Sequence, residues 1–237
     1  MSDSGNRWAA QAAIPQVGID VGLRAYMLRV YNYMGAGLAI TGLVAYVAAA
    51  TGFYRSIIGT PLYWVVILAP LALVMLLSFR IQKMSLGAAQ ITFWVYAGLV
   101  GLSLSGLFLV YTGASIAQTF FVTAATFLAM SLYGYTTRRD LTHVGSFLLM
   151  GLFGIIIASL ANLFFHSPGL QFAISVIGVV VFVGLTAWDT QRIKEMYWEG
   201  DGEVLAGKKA VMGALSLYLD FINLFIMLMQ FMGQRRD

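Results

Sequence analysis

Apolar residues in this chain gather into seven unbroken runs, at 27–50, 61–79, 88–111, 116–136, 146–165, 170–190 and 210–232. Each approaches or exceeds the roughly 20 residues that a helix needs to cross the hydrocarbon of a bilayer. The runs are continuous rather than alternating, which argues for helices and against a membrane β-barrel. The breaks carry turn and cap chemistry: Thr51-Gly52, Thr60-Pro61, the stretch from Arg80 to Gly87, Thr112-Gly113, Arg138 to Thr142, and Ser167-Pro168-Gly169. No connection is long enough for a separate soluble domain. The pattern predicts an all-α membrane protein, a seven-transmembrane-helix bundle. Residues 1–24 form a polar N-terminal tail, and 25–237 form a single transmembrane domain.

Composition agrees. Of the 237 residues 60% are hydrophobic and 10% charged, against about 25% charged in a soluble domain. Cysteine is absent, so neither a disulfide framework nor a thiolate metal site can form. The tail lacks an apolar core followed by a cleavage site, so it does not read as a signal peptide. The first apolar run is expected to serve as an uncleaved insertion signal.

The net charge of +4 is spread over the connections rather than gathered on one face, which speaks against a nucleic-acid partner. Basic residues instead sort by side of the membrane. Eleven lie on the side of the N-terminus: Arg7, Arg24, Arg29, Arg80, Lys83, Arg138, Arg139, Arg192, Lys194, Lys208 and Lys209. Arg55, Arg235 and Arg236 lie on the other, if the seventh segment crosses fully. This predicts a multi-pass inner-membrane protein with a cytoplasmic N-terminus. The terminal arginine pair disagrees with a full seventh crossing, which leaves a re-entrant last segment as the alternative.

Two acids, Asp189 and Asp220, lie in or near the long apolar segments. An ionised Asp at the bilayer centre costs about 3 kcal/mol on insertion scales, so an intramembrane carboxylate is a candidate functional group. Asp220 belongs to a stripe of Ser216, Asp220, Asn223, Met227 and Gln230, spaced to share one helix face. For Ser216, Asn223 and Gln230 the simpler reading is interhelical glue, worth about 0.6 kcal/mol per bond. An Asn would glue as well as Asp220 without the charge penalty. Asp189 can be read as a residue near a helix end, paired with Arg192 one turn later. Taken at 1.5 Å per residue, Asp189 would lie about 7 Å, and Asp220 about 15 Å, from the cytoplasmic helix ends. Contact between them is permitted by this spacing but not required. Gly35, Ala39 and Gly42, like Gly151, Gly154 and Ala158, are small residues suited to close helix packing. His166 reads as interfacial and His143 as a turn residue.

Three stretches together resemble the Bax inhibitor-1 family. They are Ser131-Leu132-Tyr133-Gly134-Tyr135-Thr136-Thr137-Arg138-Arg139-Asp140-Leu141, then Ala187-Trp188-Asp189-Thr190-Gln191-Arg192-Ile193, then Leu215-Ser216-Leu217-Tyr218-Leu219-Asp220-Phe221-Ile222-Asn223-Leu224-Phe225. The likeness runs from the first segment to Met232, and the short tails suggest a prokaryotic member. The resemblance implies that the seventh helix is enclosed by the other six. It also implies that Asp189 and Asp220 form a hydrogen-bonded, pH-sensing pair, with Arg80 as the matching gate partner. It implies a pH-sensitive calcium leak across the membrane. Eukaryotic members resist cell death from the endoplasmic reticulum, and one bacterial relative modulates a membrane-bound AAA protease.

Two carboxylates in contact inside a bundle cannot both ionise cheaply, so they should share one proton and titrate as a unit. The protonated pair would clasp helices 6 and 7 at the cytoplasmic mouth. Ser216 and Asn223 are candidates to line the bundle or pore. Ca²⁺ is served by carboxylate oxygens, so Asp189 and Asp220 are also candidate calcium ligands. No resident cofactor is expected; the partners are lipid bilayer, calcium and protons. The alternative is a non-conducting regulator that binds a membrane protease or another membrane protein. Enzymes fit less well: an intramembrane aspartyl protease would need a Gly-x-Gly-Asp context that neither acid has. Ser103-Leu104-Ser105-Gly106 lacks the first glycine of a rhomboid-type motif.

Overall fold

A computed structural model describes residues 16–236, with side chains from residue 21 onward. Seven long helices follow in order: α1 Gln16–Ala50, α2 Pro61–Arg80, α3 Leu86–Leu104, α4 Gly113–Thr136, α5 Thr142–Phe165, α6 Pro168–Glu195 and α7 Glu203–Met232. All seven are long and apolar enough to span a membrane. Short helical turns at Phe53–Ile57 and Leu107–Val110 fill two connections, and Ile81–Lys83 forms a single 3₁₀ turn after α2. Among the described residues there is no β-strand. α1 already runs at Gln16, within the stretch assigned to the polar tail; the rest of that tail, residues 1–15, lies outside the described residues.

Helix starts follow from local chemistry. The Ser85, Thr112 and Ser167 hydroxyls accept from the amides of Ala88, Ser115 and Leu170, which caps α3, α4 and α6. Pro61 and Pro168 stand in the first turn of α2 and α6, where a missing N–H costs nothing. α5 stops at His166, whose left-handed backbone (φ 50°) lets its amide close the last turn on the Asn162 carbonyl.

The last helix is the most buried of the seven. Of its most apolar stretch 61% is buried, against 11% in α2 and α5. It packs chiefly on α1, α3, α4 and α6. Tyr218, Leu217 and Met229 on α7 are fully buried in one core with Val30 of α1, Phe93 of α3 and Ile193 of α6, while Leu224 is fully buried in a second core with Leu148 of α5 and Phe182 of α6. At its start Lys209 pairs with Asp201 and donates to the Met196 carbonyl. Past its other end the chain pairs with the α3–α4 connection: Thr112 donates to the Gln234 carbonyl (3.1 Å) and Arg236 to that of Val110 (2.9 Å). α7 is thus one unbroken rod of 30 residues, about 45 Å long. The re-entrant alternative is overturned, because the terminal arginines lie at the opposite end of the bundle from Lys208 and Lys209.

Large apolar side chains such as Phe79, Phe121, Phe147 and Phe164 are exposed on the outer helix faces, as a lipid-facing belt requires. Close helix approach does use glycine, but at other positions than expected. A Cβ at Gly35, Gly42 or Gly154 would meet nothing within 4 Å, and one at Gly151 would meet only Val181, at 3.1 Å. The tight crossings are α1 on α3 and α4 on α6. A Cβ at Gly101 would sit 2.6 Å from the Thr41 carbonyl oxygen, and one at Gly134 would sit 2.1 Å from that of Ala187. Gly134→Ala should therefore force the α4–α6 crossing apart and cost about 1–3 kcal/mol, while Gly154→Ala should stay within about 0.5 kcal/mol. Thermal unfolding in detergent reads both. Equal melting of the two variants would mean that the α4–α6 approach is looser than described.

Candidate functional site

α6 and α7 run antiparallel, and their register decides whether the two acids meet. Ile193 packs into the space left by Gly213, where a Cβ would come 2.9 Å from Ile193 Cγ2. From that crossing, one turn back along α6 reaches Asp189 and two turns on along α7 reach Asp220. Their carboxyl groups lie within hydrogen-bonding reach of each other. Both are buried, with 8% of Asp189 and 4% of Asp220 accessible. Asp220 comes about 25 Å after the start of α7, deeper than expected, because α7 begins at Glu203 rather than 210. Its first turns overhang the end of α6, so the two acids still stand level.

Few partners surround the pair. Asp189 Oδ1 stands 3.0 Å from Arg192 Nη2, a Coulombic contact without hydrogen-bond alignment, and Asp220 Oδ2 has no partner. A buried carboxylate left without a donor is costly. A proton between the two carboxyls would supply that donor. One ionised carboxylate (−1) and the Arg192 guanidinium (+1) then sum to zero. The Arg192 side chain is 46% exposed, so water and salt screen its attraction, and it cannot by itself hold two buried negative charges.

Among the described residues Arg80 forms no ion pair with either acid. It is exposed at the end of α2, and α2 packs on α3 rather than on α6 or α7. The cation at the pair is Arg192, which reaches Asp189 because they lie three residues apart on one helix face. Arg192 also lies over the Trp188 ring, 4.8 Å from its centre, and Nη2 approaches Ser216 Oγ at 3.4 Å. Ser216 thus joins the site. Asn223 does not: its amide donates to the Leu219 carbonyl of its own helix, and it lines a groove shared with α5 and α6. Gln230 ties α7 to α6, its Oε1 accepting from Gln171 and Ser175.

Two hydrogen-bond chains that pattern reading missed fix the helices around the pair. Tyr31 on α1, Ser131 on α4 and Thr190 on α6 are linked hydroxyl to hydroxyl at 2.6 and 3.0 Å, beside Asp189. On α7, Tyr218 meets Thr41 of α1 at 2.6 Å. The Thr41 hydroxyl lies 2.9 Å from the carbonyls of both Ala97 and Gly37, so its one proton goes to a carbonyl and Tyr218 must be the donor to Thr41. Near the end of α6, Gln191 accepts from the Leu141 amide (2.8 Å) and donates to the Arg139 carbonyl (2.8 Å), while Lys194 donates to that of Tyr135 (2.9 Å). The signal available in the sequence was only Thr and Ser recurring in apolar helices, which is as often back-bonding to the helix itself.

Among the described residues no group of three or more His, Cys, Asp or Glu could hold a metal ion. Two carboxylates offer at most four of the roughly six to eight oxygens that Ca²⁺ takes. The pair alone therefore does not make up a calcium storage site.

Comparison with known proteins places this architecture. A model of the family described as "Inhibitor of apoptosis-promoting Bax1" matches residues 23–237. The chain belongs to this Bax inhibitor-1 family. An uncharacterized protein of Rickettsia prowazekii is 53% identical over 92% of this chain and 93% of its own length. The Escherichia coli K12 protein named inner membrane protein YbhL is 49% identical over 91% and 94%. An uncharacterized membrane protein of Streptococcus pyogenes is 36% identical over 91% and 95%. This Bax inhibitor-1 family member is accordingly a multi-pass membrane protein.

Because the native chain has no cysteine, cross-linking can test the register directly. A variant with cysteine at 189 and 220 should be joined by a short bifunctional thiol reagent, and one with cysteine at 80 and 220 should not. The reverse pattern, read as gel mobility after cleavage between α6 and α7, would overturn the arrangement.

Proposed function

We propose that this Bax inhibitor-1 family member is a pH-sensitive calcium leak pathway, gated by a proton shared between Asp189 and Asp220. The supporting observation is their contact, with both carboxyls buried and only the half-exposed Arg192 as counter-charge. With one proton the site is formally neutral, and the hydrogen-bonded carboxyls hold α6 to α7. As pH rises and that proton leaves, two like charges face each other in a medium of low dielectric, and Arg192 compensates one of them. The uncompensated charge loosens the clasp and attracts a cation. The N-terminus is cytoplasmic in this reading, which puts Asp189, Arg192 and the positively charged helix ends at the cytoplasmic mouth.

An isolated aspartate titrates near 3.9 and would be silent at neutral pH; a coupled pair need not be. Calcium flux into liposomes holding the purified chain should depend on pH as the shared proton is lost, in a single step that belongs to the pair. Asp220→Asn and Asp189→Asn should each flatten that change, since one neutral amide removes the shared proton. Parental pH curves from both variants would rule the clasp out.

Arg192→Gln should displace the curve, because it strips the counter-charge from the pair, while Arg80→Gln should leave it in place. A shift with Arg80→Gln alone would return the gate to α2. Liposomes that pass no calcium at any pH would exclude conduction, and the chain would then act as a non-conducting regulator of a membrane partner.

A further inference from the structure

The end of the bundle far from the acidic pair holds a feature that the proposed leak does not use. A cleft of about 420 Å³ opens between α1, α4 and α7, with Leu38, Gly42, Ala45, Ala117, Phe120 and Phe225 on its walls. Its lining is almost wholly apolar. It shares Tyr46, Phe108 and Gly113 with a second cavity of about 380 Å³ nearer the helix ends. Arg55, from the turn after α1, and Arg236, from the segment after α7, line that second cavity. No Asp or Glu among the described residues lines either space.

Arg236 is held in place rather than trailing. Its amide donates to the Val110 carbonyl (2.9 Å) and its guanidinium Nη1 to that of Phe108 (3.0 Å). The dimensions also correspond to a leaflet. From the end of α1 at Ala50 down to Leu38 is 12 residues, or about 18 Å of helix, close to half of the roughly 30 Å hydrocarbon core. An apolar slot one leaflet deep, with two guanidiniums at its mouth, matches one molecular shape: an acyl chain carrying an anionic phosphate headgroup.

We infer that this cleft binds a phospholipid with a net negative headgroup, its phosphate between Arg55 and Arg236 and one acyl chain lying between α1 and α4. Guanidinium forks bind phosphate oxygens in pairs and lose little hydration in doing so. The site gives Arg55 and Arg236 a role at the membrane face where they run against the charge bias of the other connections. Fixed between α1 and α7, the lipid bridges the helix that carries Asp220 to the outer wall of the bundle.

The test uses the full chain, purified and stripped of lipid in detergent, and titrated by native mass spectrometry. Phosphatidylglycerol should bind more tightly than phosphatidylethanolamine or diacylglycerol. Arg55→Gln should weaken phosphatidylglycerol about fivefold, the worth of one arginine near anionic lipid. Ala117→Phe should block binding by filling the slot while both arginines remain, and thermal unfolding checks that each variant is folded. Equal binding of the three lipids would overturn the site, as would full phosphatidylglycerol binding by both variants. Inorganic phosphate that binds as tightly as the lipid would also overturn it, since the apolar cleft would then contribute nothing.

Discussion

Two carboxyl groups buried against each other at a helix crossing set the terms for the rest of this bundle. Each acid alone would cost several kcal/mol to bury in ionised form. Together they need a donor between them, and the half-exposed Arg192 is placed to balance only one charge. The α6–α7 crossing must therefore be held rigidly enough that the carboxyls cannot drift apart and hydrate separately. The surrounding bonds serve this end. Gln191 ties the end of α6 to the α4–α5 connection and Lys194 ties it to the last turn of α4, and the Tyr31–Ser131–Thr190 chain joins α1 and α4 to α6 beside Asp189.

α7 carries the other half of that constraint. Its deep burial follows from side chains that are apolar on nearly every face, apart from the stripe turned to α6. Tyr218, two residues before Asp220, is wedged edge-on to Phe93 and Tyr96, and its hydroxyl is held by Thr41. Rotating α7 to pull Asp220 away would strip these contacts and leave a buried hydroxyl unpaired.

Much of this was legible in the sequence, because lipid imposes a strong rule: every spanning backbone group must be bonded within its own helix. Seven apolar runs became seven helices, and the face shared by Ser216, Asp220 and Gln230 does turn toward α6. The rest depended on three-dimensional register. Spacing could not say that α7 starts at Glu203 and overhangs α6, which is what brings Asp220 level with Asp189. Nor could it separate glycines that meet a neighbouring backbone, such as Gly134, from those facing open space, such as Gly154. Arg80 was matched by position along the chain, whereas the cation in place is Arg192, set by the three-residue offset on α6. The clamps by Gln191 and Thr41 join residues 50 or more apart in sequence, and single-chain periodicity carries no signal for such pairs.

The central claim is that one proton resides between Asp189 and Asp220, and infrared difference spectroscopy of the chain in lipid during a pH titration tests it most directly. The account predicts a single protonated-carboxyl stretch per chain that fades as pH rises, and that is lost or shifted by replacing either acid with asparagine. Two bands that titrate independently, or a band indifferent to both replacements, would contradict it.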